Sequence, residues 1–231
     1  MQSGVSTKSG RSRFRFSSDG PIVSVMTDFV KTVTLGVTGA SGAPYTLGLL
    51  RALVQQDVRV WFMISQAARV VFGEETDLKL PPKAADLERY LSDTFGAREG
   101  QIRVFGEQQW SAPVASGSGA SVPMVVCPCS TGCLSAIATG ASNNLLERAA
   151  DVALKERRPL ILVPRETPYS AIHLEHMLSL TRQGAVILPA SPGFYRSPQG
   201  IDDLVDFVVA RILGQLGLEQ TLVPRWGARH E

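Results

Sequence analysis

All the cysteines of the chain, three in number, fall in one heptapeptide, CPCSTGC at 127–133. Thiolates so close together could bind a metal. Structural zinc takes four ligands, however, and no fourth stands nearby, since His173 and His176 lie on a later segment. The other reading is a strand running into a helix start. Ser130 and Thr131 would then cap the helix, and the N–H groups of Ser130 to Cys133 would cradle a polar group. An odd, clustered set of cysteines is a poor disulfide framework, so reduced thiols and a cytoplasmic setting are expected.

A second stretch, VTGASGAPYTLGLL at 37–50, reads as a strand end, a glycine-rich turn and a helix start. Such a turn delivers backbone N–H groups to an anion or a flat ring. Glycines at 36, 39 and 42 give G-x-x-G-x-x-G, which is not the dinucleotide fingerprint. The second strand ends at Ser65, where a dinucleotide enzyme places an acid for the ribose. No G-x-x-x-x-G-K-[ST] loop is present either. A mononucleotide such as FMN suits the turn better than NAD.

Cations form the third group. Arg148, Asp151 and Lys155 share one helix face by their spacing. That face is either solvated, with Asp151 balancing two cations, or a dication that grips a phosphate. Arg211 interrupts the apolar run DFVVARIL, so its side chain either reaches out to water or meets a buried anion. Tyr195 and Arg196 fall in a loop after a strand, where phosphate ligands would belong.

These residues need a scaffold, and the rest of the chain supplies one. Of 231 residues, 44% are hydrophobic and 19% charged, enough for a sizeable core and unlike a disordered chain. A net charge of +2 gives no nucleic-acid or membrane-surface signature. No segment has the ~20 apolar residues of a membrane span. Residues 1–31, rich in Ser, Gly and Arg, read as a flexible leader, and 32–231 as a single domain. Short apolar runs at 33–37, 58–65, 124–128, 159–164 and 185–189 predict strands, and 102–110 a short strand plus loop. Helical patterns at 44–56, 66–75, 86–95, 145–157, 170–183 and 201–216 alternate with them. The loop 111–123 is rich in Gly, Ser and Pro. This alternation predicts a parallel α/β sheet with helices on both faces. Ligands of such sheets sit beyond the carboxyl ends of the strands, here the loops 38–43, 65–66, 128–133, 164–169 and 189–198.

Taken in order, TGASGAPY, the strand end FMIS, ASGS, CPCSTG, LLERAADVALKERRPLILVPRE, IHLEHML and AVILPASPGFY resemble the UbiX-type flavin prenyltransferases from about Val33 to Trp226. The resemblance implies a Rossmann-like, flavodoxin-like sheet assembled as a dodecamer. It implies reduced FMN and dimethylallyl monophosphate as reactants, joined at flavin N5 and C6 with release of phosphate. The product, prenylated FMN, would serve a UbiD-type decarboxylase, in ubiquinone synthesis or aromatic-acid breakdown. No metal is implied, which fits the lack of a D-D-x-x-D motif. Carried over by motif, Gly39, Ala40, Ser41, Ser65, Ser130, Thr131, Gly132, Cys133 and Arg165 would contact FMN. Arg148, Lys155, Tyr195 and Arg211 would hold the substrate phosphate, some from a neighbouring subunit, with Ser116 and Gly117 helping. Trp110 would face the prenyl chain. Ser41 and Glu75 would relay the proton lost at C6, and Glu166 would protonate the departing phosphate. Cys133 departs from the Thr of many members, which changes the side chain but keeps the backbone contact. The alternatives are a flavin-dependent cysteine decarboxylase-like protein and an FMN-binding module without activity.

Overall fold

Period-two alternation in the strands decides the layering. Val33, Leu35 and Val37 of the first strand point to one side of the sheet, as do Val60 and Phe62 of the second, into one core. Trp61 and Met63 point to the other side, into a second core with Val126 and Leu162. Both faces must therefore be covered by helices, which is the condition for an all-parallel sheet.

The computed structural model describes residues 31–120, 122–195 and 197–224. Of the expected leader 1–31, residues 1–30 lie outside the described residues, as do Arg196 and the end of the family match at Trp226; Lys31 is not leader but the first residue of the first strand. The elements are β1 (Lys31–Val37), α1 (Ala43–Gln55), β2 (Val58–Ile64), α2 (Gln66–Glu75), α3 (Ala84–Phe95) and β3 (Ile102–Val104). After a single 3-10 turn at Pro113–Ala115 come α4 (Gly117–Ala120), β4 (Met124–Cys129), α5 (Thr131–Ala138) and α6 (Leu145–Lys155). The chain closes with β5 (Leu160–Pro164), α7 (Ala171–Arg182), β6 (Val186–Ile187) and α8 (Ile201–Gln215).

The six strands are all parallel, in the order β3-β2-β1-β4-β5-β6. That is the Rossmann order, and without the short edge strand β3 it becomes the flavodoxin one. Both halves wind outward from β1 and β4, so the topological switch point lies between them. Helices α1, α3 and α8 cover one face, and α5, α6 and α7 the other.

The expected elements are present, with shifted ends. Residues 185–189 pair over only two residues: Leu188 N still donates to Leu162 O at 2.8 Å, but Pro164 on the neighbouring strand has no N–H to return the bond. The Gly/Ser/Pro loop 111–123 contains the 3-10 turn and α4. Helix α5, of which only the start was expected, runs eight residues. Among the described residues no helix is long and apolar enough to cross a membrane.

Candidate functional site

The carboxyl edge at the switch point gathers the N-termini of three helices. Gly42, with φ of 131°, turns the chain into α1. Ser65 caps α2, its hydroxyl accepting from Ala68 N at 3.1 Å. Ser130 caps α5 in the same way, accepting from Cys133 N at 3.3 Å. Each terminus carries partial positive charge, and those of α2 and α5 keep unpaired first-turn amides, so the crevice between them suits an anion. The first loop fits tightly into this arrangement: a Cβ on Gly39 would come within 2.5 Å of Ala67 Cβ, so only glycine allows the loop to rest on α2.

The internal bonds narrow what the CPCSTGC loop offers. Ser130 N–H is taken by Thr38 Oγ1 at 2.7 Å, and Cys133 N–H by Ser130 Oγ. Of the four amides expected to cradle a ligand, those of Thr131 and Gly132 remain as orphan donors of the first helical turn. The hydroxyls of Ser65 and Ser130 accept as caps, which leaves their O–H groups to donate. The cysteines are free thiols, all buried. Burial pushes the Cys127 thiol up, and a hydrogen bond with Cys133 together with burial pushes Cys129 well up. Neither is a thiolate at neutral pH. Among the described residues no group of three His, Cys, Asp or Glu side chains could hold a metal ion.

Ser41, Glu75 and Arg165 come together at the lip of the crevice. Glu75 ends α2 and reaches back to the N-terminus of α1. Its Oε2 accepts from Gly42 N at 2.9 Å and Ala43 N at 2.8 Å. Burial works to raise its pKa. The Ser41 hydroxyl, the two amides and the Arg165 charge outweigh burial, and the carboxyl sits below its ordinary value. Glu75 is therefore an ionised carboxylate, free to accept a proton but a weaker base than an unperturbed glutamate. Arg165 Nε donates to Ser41 O at 3.2 Å, tying the end of β5 to the first loop. Glu166 is half-buried next to it, its Oε1 accepting from Thr167 N at 3.0 Å. Trp110 lies in the loop beyond β3, with 47% of its surface exposed.

The cations divide into two places. On α6, Arg148 donates through Nε to Ala115 O at 3.0 Å and pairs with Asp151 Oδ2 at 2.6 Å. Lys155 pairs with Glu156 and not with Asp151, so the expected sharing of one aspartate by two cations is not what forms. Ser116 and Gly117 sit on this face, where a Cβ on Gly117 would meet Glu156 Oε1 at 1.9 Å. On the opposite face of the sheet, Arg211 is an exposed residue of α8, without a partner among the described residues, and not a buried one. Tyr195 packs edge-on against Phe207 of α8, with ring centroids 5.9 Å apart. One protomer thus brings Arg148, Lys155, Ser116 and Gly117 together, and Tyr195 with α8, but leaves the sheet between the two groups.

Two residues of this region escaped the sequence. Thr38 bridges β1 to the β4–α5 turn, and its signal was a threonine placed at the end of an apolar run. Glu107 accepts from Gln66 N at 3.1 Å at the start of α2, while its carbonyl accepts from Leu145 N at 2.8 Å at the start of α6. Nothing local marks Glu107, because both partners are distant in sequence.

A doubly wound sheet with three helix N-termini at its switch point is an architecture that flavoproteins share with other nucleotide-binding folds, and the Flavoprotein family model matches residues 24–213. Within that class the chain belongs to the flavin prenyltransferase UbiX family. Flavin prenyltransferase UbiX of Pseudomonas aeruginosa is 63% identical over 198 residues, which cover 86% of this chain and 95% of that protein. Among solved structures, AnUbiX (PadA1) in complex with FMN and dimethylallyl pyrophosphate is 39% identical, with a TM-score of 0.76, covering 87% of this chain and 99% of that one. The dodecameric FMN-dependent Ubix-like decarboxylase from Escherichia coli O157:H7 is 38% identical, with a TM-score of 0.75, covering 85% and 100%.

Proposed function

We propose that this protein transfers the dimethylallyl group of dimethylallyl monophosphate to N5 and C6 of reduced FMN, releasing phosphate. The observation that carries this is the Ser41–Glu75–Arg165 group at the switch-point crevice. A flavin store needs the crevice but has no use for an ionised carboxylate held at its lip. Reduced FMN, when bound, supplies the electron-rich N5 and C6 positions.

The residues divide the work by charge. Gly39, Ala40, Ser65, Ser130, Thr131, Gly132, Cys133 and Arg165 belong to the loops and helix starts at the carboxyl edge of the sheet and are assigned to the flavin. The orphan amides of Thr131 and Gly132 and the serine O–H groups offer donors, and Arg165 a cation. Breaking the allylic C–O bond places negative charge on the leaving phosphate. Without a metal to neutralise it, Arg148, Lys155, Tyr195 and Arg211 donate to its oxygens, with Ser116 and Gly117 alongside. The aromatic face of Trp110 stabilises positive charge on the prenyl carbons. The bond to N5 replaces the allylic C–O bond and releases the N5 proton; the bond to C6 consumes the prenyl double bond, whose other carbon gains a proton as C6 loses one. Glu75, ionised and bonded to Ser41, is the acceptor, and Glu166 returns a proton to the phosphate.

Because the sheet separates α6 from α8, the phosphate grip is completed between subunits of a homo-oligomer, assigned as a dodecamer. A UbiD-type decarboxylase is assigned as the recipient of the prenylated FMN. The sequence division at residue 31, with a single flavoprotein domain after it, belongs to the same proposal.

The test is anaerobic incubation with reduced FMN and dimethylallyl monophosphate, followed by mass analysis of the flavin and assay of free phosphate. A mass gain of one five-carbon unit with stoichiometric phosphate is expected. Bound flavin that remains unmodified would reduce the protein to a flavin carrier. Parallel incubation with the diphosphate identifies which leaving group is used.

A further inference from the structure

The sheet splits at the crevice, and the split needs a latch. Pairing between β1 and β4 ends at Gly36 opposite Val126. Against β5, β4 shifts register between Val126 and Cys129. The carbonyls of Cys127 and Pro128 lie within that irregularity, and a buried carbonyl must find a donor.

Two buried threonines provide donors. Thr46 Oγ1, on α1, donates to Cys127 O at 2.8 Å. Thr38 Oγ1 donates to Pro128 O, also at 2.8 Å, and Thr38 N–H reaches the same carbonyl at 3.2 Å. The two threonines differ in what comes next. The Thr46 hydroxyl makes that bond alone among the described residues. The Thr38 hydroxyl also accepts from Ser130 N at 2.7 Å, and Ser130 is the cap of α5. One oxygen that donates and accepts at once is a property of a hydroxyl, and an apolar side chain of the same shape lacks it. At 5% exposure, Thr38 is largely shielded from solvent, so loss of these bonds is costly.

We infer that Thr38 is a positioning residue for the flavin: its hydroxyl spans the switch-point crevice and sets the separation between the loop 38–42 and the N-terminus of α5. It thereby aims the Ser130 O–H and the Thr131 and Gly132 amides into the site. The inference rests on the flavin-binding part of the proposed function.

The experiment compares Thr38→Val, Thr38→Ser and Thr46→Val with the unaltered full-length protein. FMN affinity is read by quenching of flavin fluorescence, and folding by thermal unfolding. Loss of a buried hydroxyl that serves two partners should weaken FMN binding in Thr38→Val by roughly 10- to 100-fold, whereas Thr38→Ser stays within about 3-fold of the unaltered protein. Thr46→Val loses one comparable buried bond and is destabilised, but it keeps its FMN affinity. Normal FMN binding by Thr38→Val overturns the inference. So does an equal loss in Thr46→Val, or a failure of Thr38→Ser to restore binding, since either marks a general effect on folding. Should Thr38→Val not fold, Thr38→Cys, with its weak thiol donor, replaces it in the same comparison. Absence of FMN binding by the unaltered protein overturns the flavin reading itself, a result separate from any difference among variants.

Discussion

Glu75→Gln separates the two tasks of this side chain. Both amide bonds from the start of α1, from Gly42 and Ala43, converge on Oε2. A glutamine oxygen at that position keeps both bonds and loses only their ionic character, and Ser41 can turn its hydroxyl to accept from the new amide group. Charge-assisted bonds are about twice as strong as neutral ones, so the variant should lose about 1–2 kcal/mol of stability. For a chain of this size that is roughly 2–8 °C in melting temperature. Loss of the proton acceptor is a different quantity and should slow prenylation by about 10²-fold or more. FMN affinity should hold, because the crevice amides are untouched. The carboxyl also predicts a pH signature. Its folded pKa lies below the unfolded value of about 4.5, so the folded state binds fewer protons in between. Its stabilising contribution is full above 4.5 and is lost as pH falls through the folded value. The melting-temperature gap between the two proteins should therefore narrow in acid. Single-turnover rates at fixed flavin occupancy, with melting curves from neutral to acid pH, check both. A folded, flavin-loaded variant that turns over at the original rate would leave Glu75 as a helix cap and nothing more.

Arg211→Ala should keep its flavin absorbance while the substrate concentration for half-maximal rate rises roughly ten- to a hundredfold, from loss of one charge-assisted bond. At limiting substrate, mixed oligomers of Arg148→Ala and Arg211→Ala should be more active than either variant alone, and a mixture no more active than its parts would argue that the grip forms within one protomer. Gly39→Ala should lose about 1–3 kcal/mol and much of its FMN affinity, since the new methyl meets Ala67 at 2.5 Å; Ala67→Gly in the same chain should restore both. Thiol-specific alkylation of the native protein should be slow at neutral pH and become fast on unfolding, because Cys127, Cys129 and Cys133 are buried and burial and hydrogen bonding hold Cys127 and Cys129 protonated.

Much of the fold was legible in the chain because its signals are local. Apolar runs separated by helical patterns determine a parallel sheet, since only burial on both faces accommodates strands such as VRVWFMI. Helix α2 could be bounded at 66–75 from Ser65 and the periodicity alone, and the glycine-rich turn after β1 announced a crevice at its end. The strand at 185–189 was overread, because how far an edge strand pairs depends on its neighbour, and Pro164 of β5 lacks the N–H that the next rung requires. What the sequence could not determine is which distant groups meet. That Glu75 closes the N-terminus of α1, that Glu107 joins two helix starts, and that Thr38 latches the split between β1 and β4 all depend on strand order and register. The same holds for the cations. Arg148 and Lys155 share a helix face by spacing, but only the sheet places α6 and α8 on opposite sides, which is why the proposed phosphate grip is drawn from two subunits. Spacing acts along one element; the meeting of elements is decided by which faces the core buries.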